Sequence, residues 1–245
     1  MDSWLLDSGQ YELIWEGALV TLQILAYSFL LGLALSLVVG VARLSTRQWV
    51  RGVAFAYVEV ARGISSIVLL FVIAIAVPIL FEIEQQSLIL LASIALGINM
   101  GGYGAEIVRG SIQAIPKGQT EATIALNLSP TQRLRHVILP QAMRLILPPM
   151  GNLTIEILKG TALVSLIGVT DIMQATRLIN QQRLFTQSAA DLTVLYVNVL
   201  LIYFLLSQII AGLFRLAERR VESRYRGGEA EVPDTPNQPI AGVTK

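Results

Sequence analysis

The chain contains no cysteine, which excludes a disulfide framework and any Cys-ligated metal site. It has a single histidine, His136, so a two-histidine metal site is out of reach. His136 stands beside Arg133 and Arg135, the setting of a solvated surface residue rather than of a catalytic triad. No G-x-x-x-x-G-K-[ST] occurs, so the chain has no P-loop to cradle nucleotide phosphates and is not its own motor. Charged residues are scarce, at 14%, and no internal repeat is visible, unlike the duplicated halves of many secondary transporters. Enzymatic chemistry finds no support here, and neither a bound cofactor nor a nucleic-acid partner is expected.

What the chain has instead is apolar bulk. Of its 245 residues 54% are hydrophobic, with a mean hydropathy of +0.63. That composition belongs to a membrane protein, and the apolar residues come in blocks rather than with amphipathic periodicity. Five runs are long enough to cross a hydrocarbon core, approximately 15–42, 53–80, 86–106, 150–170 and 193–215. The expected fold is therefore an all-α membrane protein of five transmembrane helices. The N-terminal MDSWLLDSGQYELIWEG holds four acids and no Lys or Arg, so it lacks the basic region of a cleaved signal peptide, and the first run is expected to remain.

Lys and Arg outside the runs set the orientation. Segments 43–52, 107–149 and 215–245 hold three, five and six, against none, none and two in 1–14, 81–85 and 171–192. Fourteen against two places the N-terminus outside and the C-terminus and the 107–149 loop in the cytoplasm. An odd number of spans separates the termini in the same way. The expected organisation is an external segment 1–14, a five-span domain 15–217 and a cytoplasmic tail 218–245. Beyond Tyr225 the tail has three prolines and little apolar content, a disordered composition. The polar stretch 171–192 lacks Pro and Gly and is expected to form an external interfacial helix.

Gly32, Ser36 and Gly40 stand four apart in the first run, and Gly97, Gly101 and Ala105 in the third. Both are stripes that let another helix approach closely, more readily within the fold than across a dimer seam. The loop between spans three and four carries its own helix signals. Thr120 can cap a short helix from Glu121 to Leu126. Ser129, Pro130 and Gln132 then form a capping box with proline at the first helical position. Asn127 lies where the chain must reverse and tolerates a left-handed backbone, so a sharp elbow is expected there.

The stretch GQTEATIALNLSPTQRLRHVILPQ resembles the EAA loop of ATP-binding-cassette importer permeases: Glu-Ala-Ala, three residues, Gly, nine residues, Ile, one residue, Leu-Pro. Glu121, Ala122, Leu139 and Pro140 match, while Thr123, Asn127 and Val137 replace the second Ala, the Gly and the Ile. The flanks YGAEIVRGSIQAIPKGQ and VILPQAMRLILPPMGN resemble the polar amino-acid uptake branch, and the resemblance covers roughly residues 57 to 170. It implies a permease subunit working as a homo- or heterodimer in the bacterial inner membrane with two cytoplasmic ATPases, which bind ATP and Mg, and an external solute-binding protein. It also implies that the EAA helix docks on the ATPase, with Glu121, Ala122 and Thr123 in the contact and Gly118, Asn127, Leu139 and Pro140 shaping the loop.

Two departures stand out. Where relatives show Arg-Gly-Thr-Pro-Leu-Leu at the start of span two, this chain has Arg62, Gly63, Ile64, Ser65 and Ser66, so the absent proline implies a weaker kink. Where relatives often show Lys-Asp-Thr-Ser-Leu in span four, it has Lys159, Gly160, Thr161, Ala162 and Leu163, which leaves room for a compatible solute such as ectoine. Glu59 and Arg62, and Glu156 and Lys159, are each three residues apart. Each pair is either an intrahelical ion pair or part of a watered solute path, to which Thr161 would also belong. If Pro149 opens the fourth span, Lys159 lies about 15 Å in, near mid-membrane. A channel or secondary carrier and a non-transporting scaffold are the competing readings.

Overall fold

The computed structural model describes residues 6–82, 87–185 and 192–226, all of it helix and connecting turns. In chain order the helices are α1 (Ser8–Ala42), α2 (Gln48–Gly63), α3 (Ser66–Leu80), α4 (Leu88–Gln113), α5 (Lys117–Ala125), α6 (Pro130–Ile167), α7 (Ile172–Phe185) and α8 (Leu192–Arg226). Four of them, α1, α4, α6 and α8, are long and apolar enough to span a membrane singly, and α2 with α3 forms a fifth, broken span. The five-span expectation stands, with α7 between the last two spans. Of the tail expected to be disordered, 218–245, residues 218–226 are helical and continue α8, because the helix carries on past the apolar run, and the rest falls outside the described residues.

Lipid tails are as apolar as leucine, so these helices are held by close contact rather than by escape from water. The small-residue stripes supply that contact between α1 and α4. A Cβ on Gly32 would lie 2.8 Å from the Met100 side chain, one on Gly40 2.7 Å from Val108, and one on Gly97 2.9 Å from Leu31. Both stripes thus pack within the chain. Around this pair Ile24, Leu70, Leu96, Met100, Ile146, Met150 and Leu158 form a fully buried core drawn from α1, α3, α4 and α6.

The structure corrects three boundaries. The helix expected to start after a Thr120 cap begins at Lys117, behind Pro116, so Thr120 lies inside it. Pro148 and Pro149 lie inside α6 rather than at its start, because the helix is already running from the loop. The depth reckoned for Lys159 from Pro149 therefore loses its origin. Third, the second span is bent by 102° with no proline at the bend. Ile64 and Ser65 are both extended, at ψ 134° and 136°, and they separate the two helices.

Gly40→Ala forces a methyl between Val108 and the Ala105 carbonyl oxygen, 2.9 Å away. Overpacking of this kind costs about 1–3 kcal/mol. Gly212→Ala, which meets nothing within 4 Å, is the control. Thermal unfolding in detergent is expected to show a lowered midpoint for the first and none for the second.

Candidate functional site

Two features carry polar chemistry, a cleft along the spans and the loop that precedes α6. The cleft begins at the bend between α2 and α3. Asn99 of α4, nearly fully buried, fastens it: its amide donates to the Ala61 carbonyl at 3.0 Å, and the Ser66 hydroxyl donates to its Oδ1 at 3.1 Å. One side chain thus joins the end of α2 to the start of α3. Asn99 went unnoticed in the sequence, where a lone Asn in an apolar run was the available signal.

Beside the bend the Arg62 guanidinium stands 5.3 Å from the centre of the Tyr103 ring. One α-helical turn further along α4, Glu106 is gripped by two arginines, Arg43 of α1 at 3.0 Å and Arg109 at 2.7 Å. Arg43 in turn lies over the Phe55 ring. From the facing side α6 presents Asn152 and Glu156. Arg62, Tyr103, Glu106, Ile107, Pro149, Asn152, Leu153 and Glu156 together enclose a cleft of about 450 Å³.

Asn152, Glu156 and Lys159 follow the i, i+4, i+7 spacing of one helix face, and all three are exposed. Neither Glu156 with Lys159 nor Glu59 with Arg62 forms an ion pair among the described residues, and Glu59 is exposed outside the cleft lining. Of the two readings of these spacings, intrahelical pairing is not what the structure shows. Thr161 is separate: fully buried, it donates to the Leu158 carbonyl at 2.6 Å and does not join the stripe.

The loop is rigid by construction. α5 ends in a Schellman motif, in which the Leu128 amide donates to the Thr123 carbonyl at 3.0 Å and the Asn127 amide to that of Ile124 at 2.8 Å. Asn127 takes the left-handed conformation, φ 55°, as expected. The Ser129 capping box is present, with the Ser129 amide 3.0 Å from Gln132 Oε1 and the Gln132 amide 3.3 Å from Ser129 Oγ. Gln141 donates to Gln119 at 3.1 Å and ties α5 to the root of α6.

At the tip Gly118, Glu121, Ala122, Ile124 and Leu126 are exposed, the last two by 56% and 73%. Thr123 is turned inward, its hydroxyl donating to the Thr120 carbonyl at 2.7 Å, so it is no part of the outer face. Leu139 and Pro140 are half-buried at the loop's root. His136 is exposed, as its neighbours implied.

A family model described as binding-protein-dependent transport system inner membrane component matches residues 15–223. The chain belongs to this family. The permease is 41% identical over 216 residues to a probable amino-acid ABC transporter permease (y4tF) of Sinorhizobium fredii, covering 86% of this chain and 88% of that one. It is 33% identical over 210 residues to the glutamine transport system permease GlnP of Escherichia coli, covering 86% and 93%. A solved amino acid ABC transporter with histidines superposes with a TM-score of 0.75 at 30% identity, over 88% of this chain and 99% of that one. The inward-facing methionine transporter MetNI, at 22% identity and a TM-score of 0.73, shares the fold. The protein is thus the membrane permease subunit of an ATP-binding-cassette importer, and ATP hydrolysis belongs to its partner subunit. The channel, secondary-carrier and scaffold readings fall.

Asn99→Leu strips the partner from the Ala61 carbonyl and the Ser66 hydroxyl, where an unmet polar group costs about 1–3 kcal/mol. Spin labels at exposed positions on α2 and α3 are expected to report a broader distance distribution across the bend in this variant. A distribution as narrow as in the parent protein means that Asn99 does not hold the angle.

Proposed function

We propose that this permease imports an amino acid or an amino-acid-like zwitterion along the face formed by Arg62, Asn152, Glu156 and Lys159. The observation carrying this reading is the exposed, unpaired polar stripe within a membrane-spanning helix. A charge at bilayer depth costs about 2.5 kcal/mol or more unless it meets a partner or water. Side chains of both signs on one wall match a solute bearing both a carboxylate and an ammonium group. The named relatives handle amino acids, which favours an ordinary amino acid over ectoine.

A second permease subunit covering the stripe would turn the open cleft into an enclosed path. Identical copies suffice for this, since each brings both signs of charge. The positive-inside count supports an external N-terminus, an external α7 and a cytoplasmic α5. There α5 offers Glu121 and Ala122 beside exposed Ile124 and Leu126, an apolar tip of the kind that marks a protein contact. A pair of cytoplasmic ATPases holding ATP and Mg would push on this tip, and the capped loop would carry the push as a rigid body to α6. An external binding protein would deliver solute at the α7 side.

Two variants test this. Lys159→Met is expected to leave assembly and basal ATP hydrolysis intact while lowering solute uptake at least tenfold in proteoliposomes. Undiminished uptake removes Lys159 from the path. The double substitution Glu121→Lys, Ala122→Arg is expected to release the ATPase on purification and abolish uptake, with the spans still inserted. Normal transport by that variant means that the loop is not the coupling element.

A further inference from the structure

At the end of α6 remote from the loop, four elements enclose a second polar group. Thr21 comes from α1, Thr161 from the last turns of α6, Asp171 from the turn before α7 and Tyr203 from α8. Asp171 is fully buried. Its Oδ1 caps α7 by accepting from the Gln174 amide at 2.8 Å, and its backbone is pressed so close to α1 that a Cβ on Gly17 would lie 2.8 Å from its carbonyl. The next amide, Ile172, donates to Thr21 Oγ1 at 3.3 Å.

Two buried atoms in this group stay without a hydrogen-bond partner among the described residues, Asp171 Oδ2 and the Tyr203 hydroxyl. Thr161 already donates to Leu158, while Thr21 accepts from Ile172 and keeps its own O–H to turn toward the phenol oxygen, which leaves the phenol O–H in want of an acceptor. Buried polar atoms are satisfied in the great majority of structures, so two orphans within electrostatic reach of each other call for an explanation.

We propose that Asp171 is a proton-operated latch: with its carboxyl protonated toward Tyr203 it holds α7 against α1 and α8, and on ionisation it lets α7 loosen. The proton exchanges with solvent and no other bond is made or broken. The neutral carboxyl can donate from Oδ2 to the phenol oxygen, which satisfies both orphans. An ionised carboxylate could accept from the phenol, but one neutral hydrogen bond does not offset the desolvation of a buried charge.

Burial pushes Asp171 up to about 6 from its ordinary 3.8, against the lowering effect of the capping amides and of Arg177. The titratable groups acting on it are thus Tyr203 from α8 and Arg177 from α7. α1 contributes Gly17 and Thr21 here while Glu16 is exposed, and α6 contributes Thr161.

The packed state binds the proton more tightly than a loosened one. The latch is therefore fully set below the ordinary carboxylate range and is lost as pH rises through about 6. That difference corresponds to a shift on the order of 100-fold in the balance between the two states. With α7 external, as charge placement suggests, the latch would respond to external pH, but its chemistry does not depend on the import reading.

Hydrogen exchange of the full-length permease in nanodiscs, corrected for intrinsic rates, tests this between pH 5 and 7.5. Exchange of the α7 amides is expected to rise at least tenfold relative to α4 over that range. In Asp171→Asn, where Asn caps a helix equally well but cannot ionise, α7 is expected to stay protected throughout. A flat profile in the parent protein overturns the latch, as does an unchanged pH dependence in Asp171→Asn. If that variant does not assemble, Tyr203→Phe decides. Removing the hydroxyl that accepts from the neutral carboxyl moves the midpoint to lower pH, and an unmoved midpoint overturns the pairing.

Discussion

Helices surrounded by lipid gain little by hiding apolar side chains from one another, so a bundle of this kind depends on how closely its backbones can approach. Here that constraint falls on α1 and α4. Gly32 under Met100, Gly40 under Val108 and Gly97 under Leu31 fix the two helices in one register. One polar wall of the cleft hangs on α4 in that register. Asn99 holds the bend, Tyr103 lies against Arg62, and Glu106 grips Arg43 of the very helix against which α4 is packed. A slip between α1 and α4 would therefore displace the cleft wall as a unit.

The loop before α6 obeys a different economy. Outside the apolar core the backbone must find its own partners, and it does so locally, through the Schellman closure at Asn127 and the reciprocal bonds of Ser129 and Gln132. These satisfy helix ends that would otherwise fray. The outer residues are left free to face a partner, while Thr123 is spent on the inner side.

Features set by local chemistry were legible in the chain. The apolar runs, the Asn127 elbow and the capping box at Ser129 depend on neighbours in sequence, and each is present. The bend between α2 and α3 was not legible, because no proline marks it and the side chain that bridges it, Asn99, lies some thirty-five residues away. The same holds for the start of α6: proline tolerates an early helical position, yet Pro148 and Pro149 are embedded mid-helix. In the cleft, spacing alone could not decide between an ion pair and a polar wall for Glu156 and Lys159. Asp171 drew no notice because only the folded chain encloses it beneath α1 and α8.

Between the loop and the span, α6 contains a π-turn at Leu134–Ile138, and α3 contains another at Val72–Ala76. Such a turn amounts to one extra residue in an α-helix. Since each residue advances the helix by about 100°, the inserted residue sets the azimuth of everything on one side relative to the other. In α6 it acts as a phase shifter between the direction in which α5 projects and the direction in which Asn152, Glu156 and Lys159 face. Two surfaces about twenty to forty residues apart are thereby indexed to each other like gear teeth on a common shaft, and a single-residue deletion within that turn would re-index them without altering either surface.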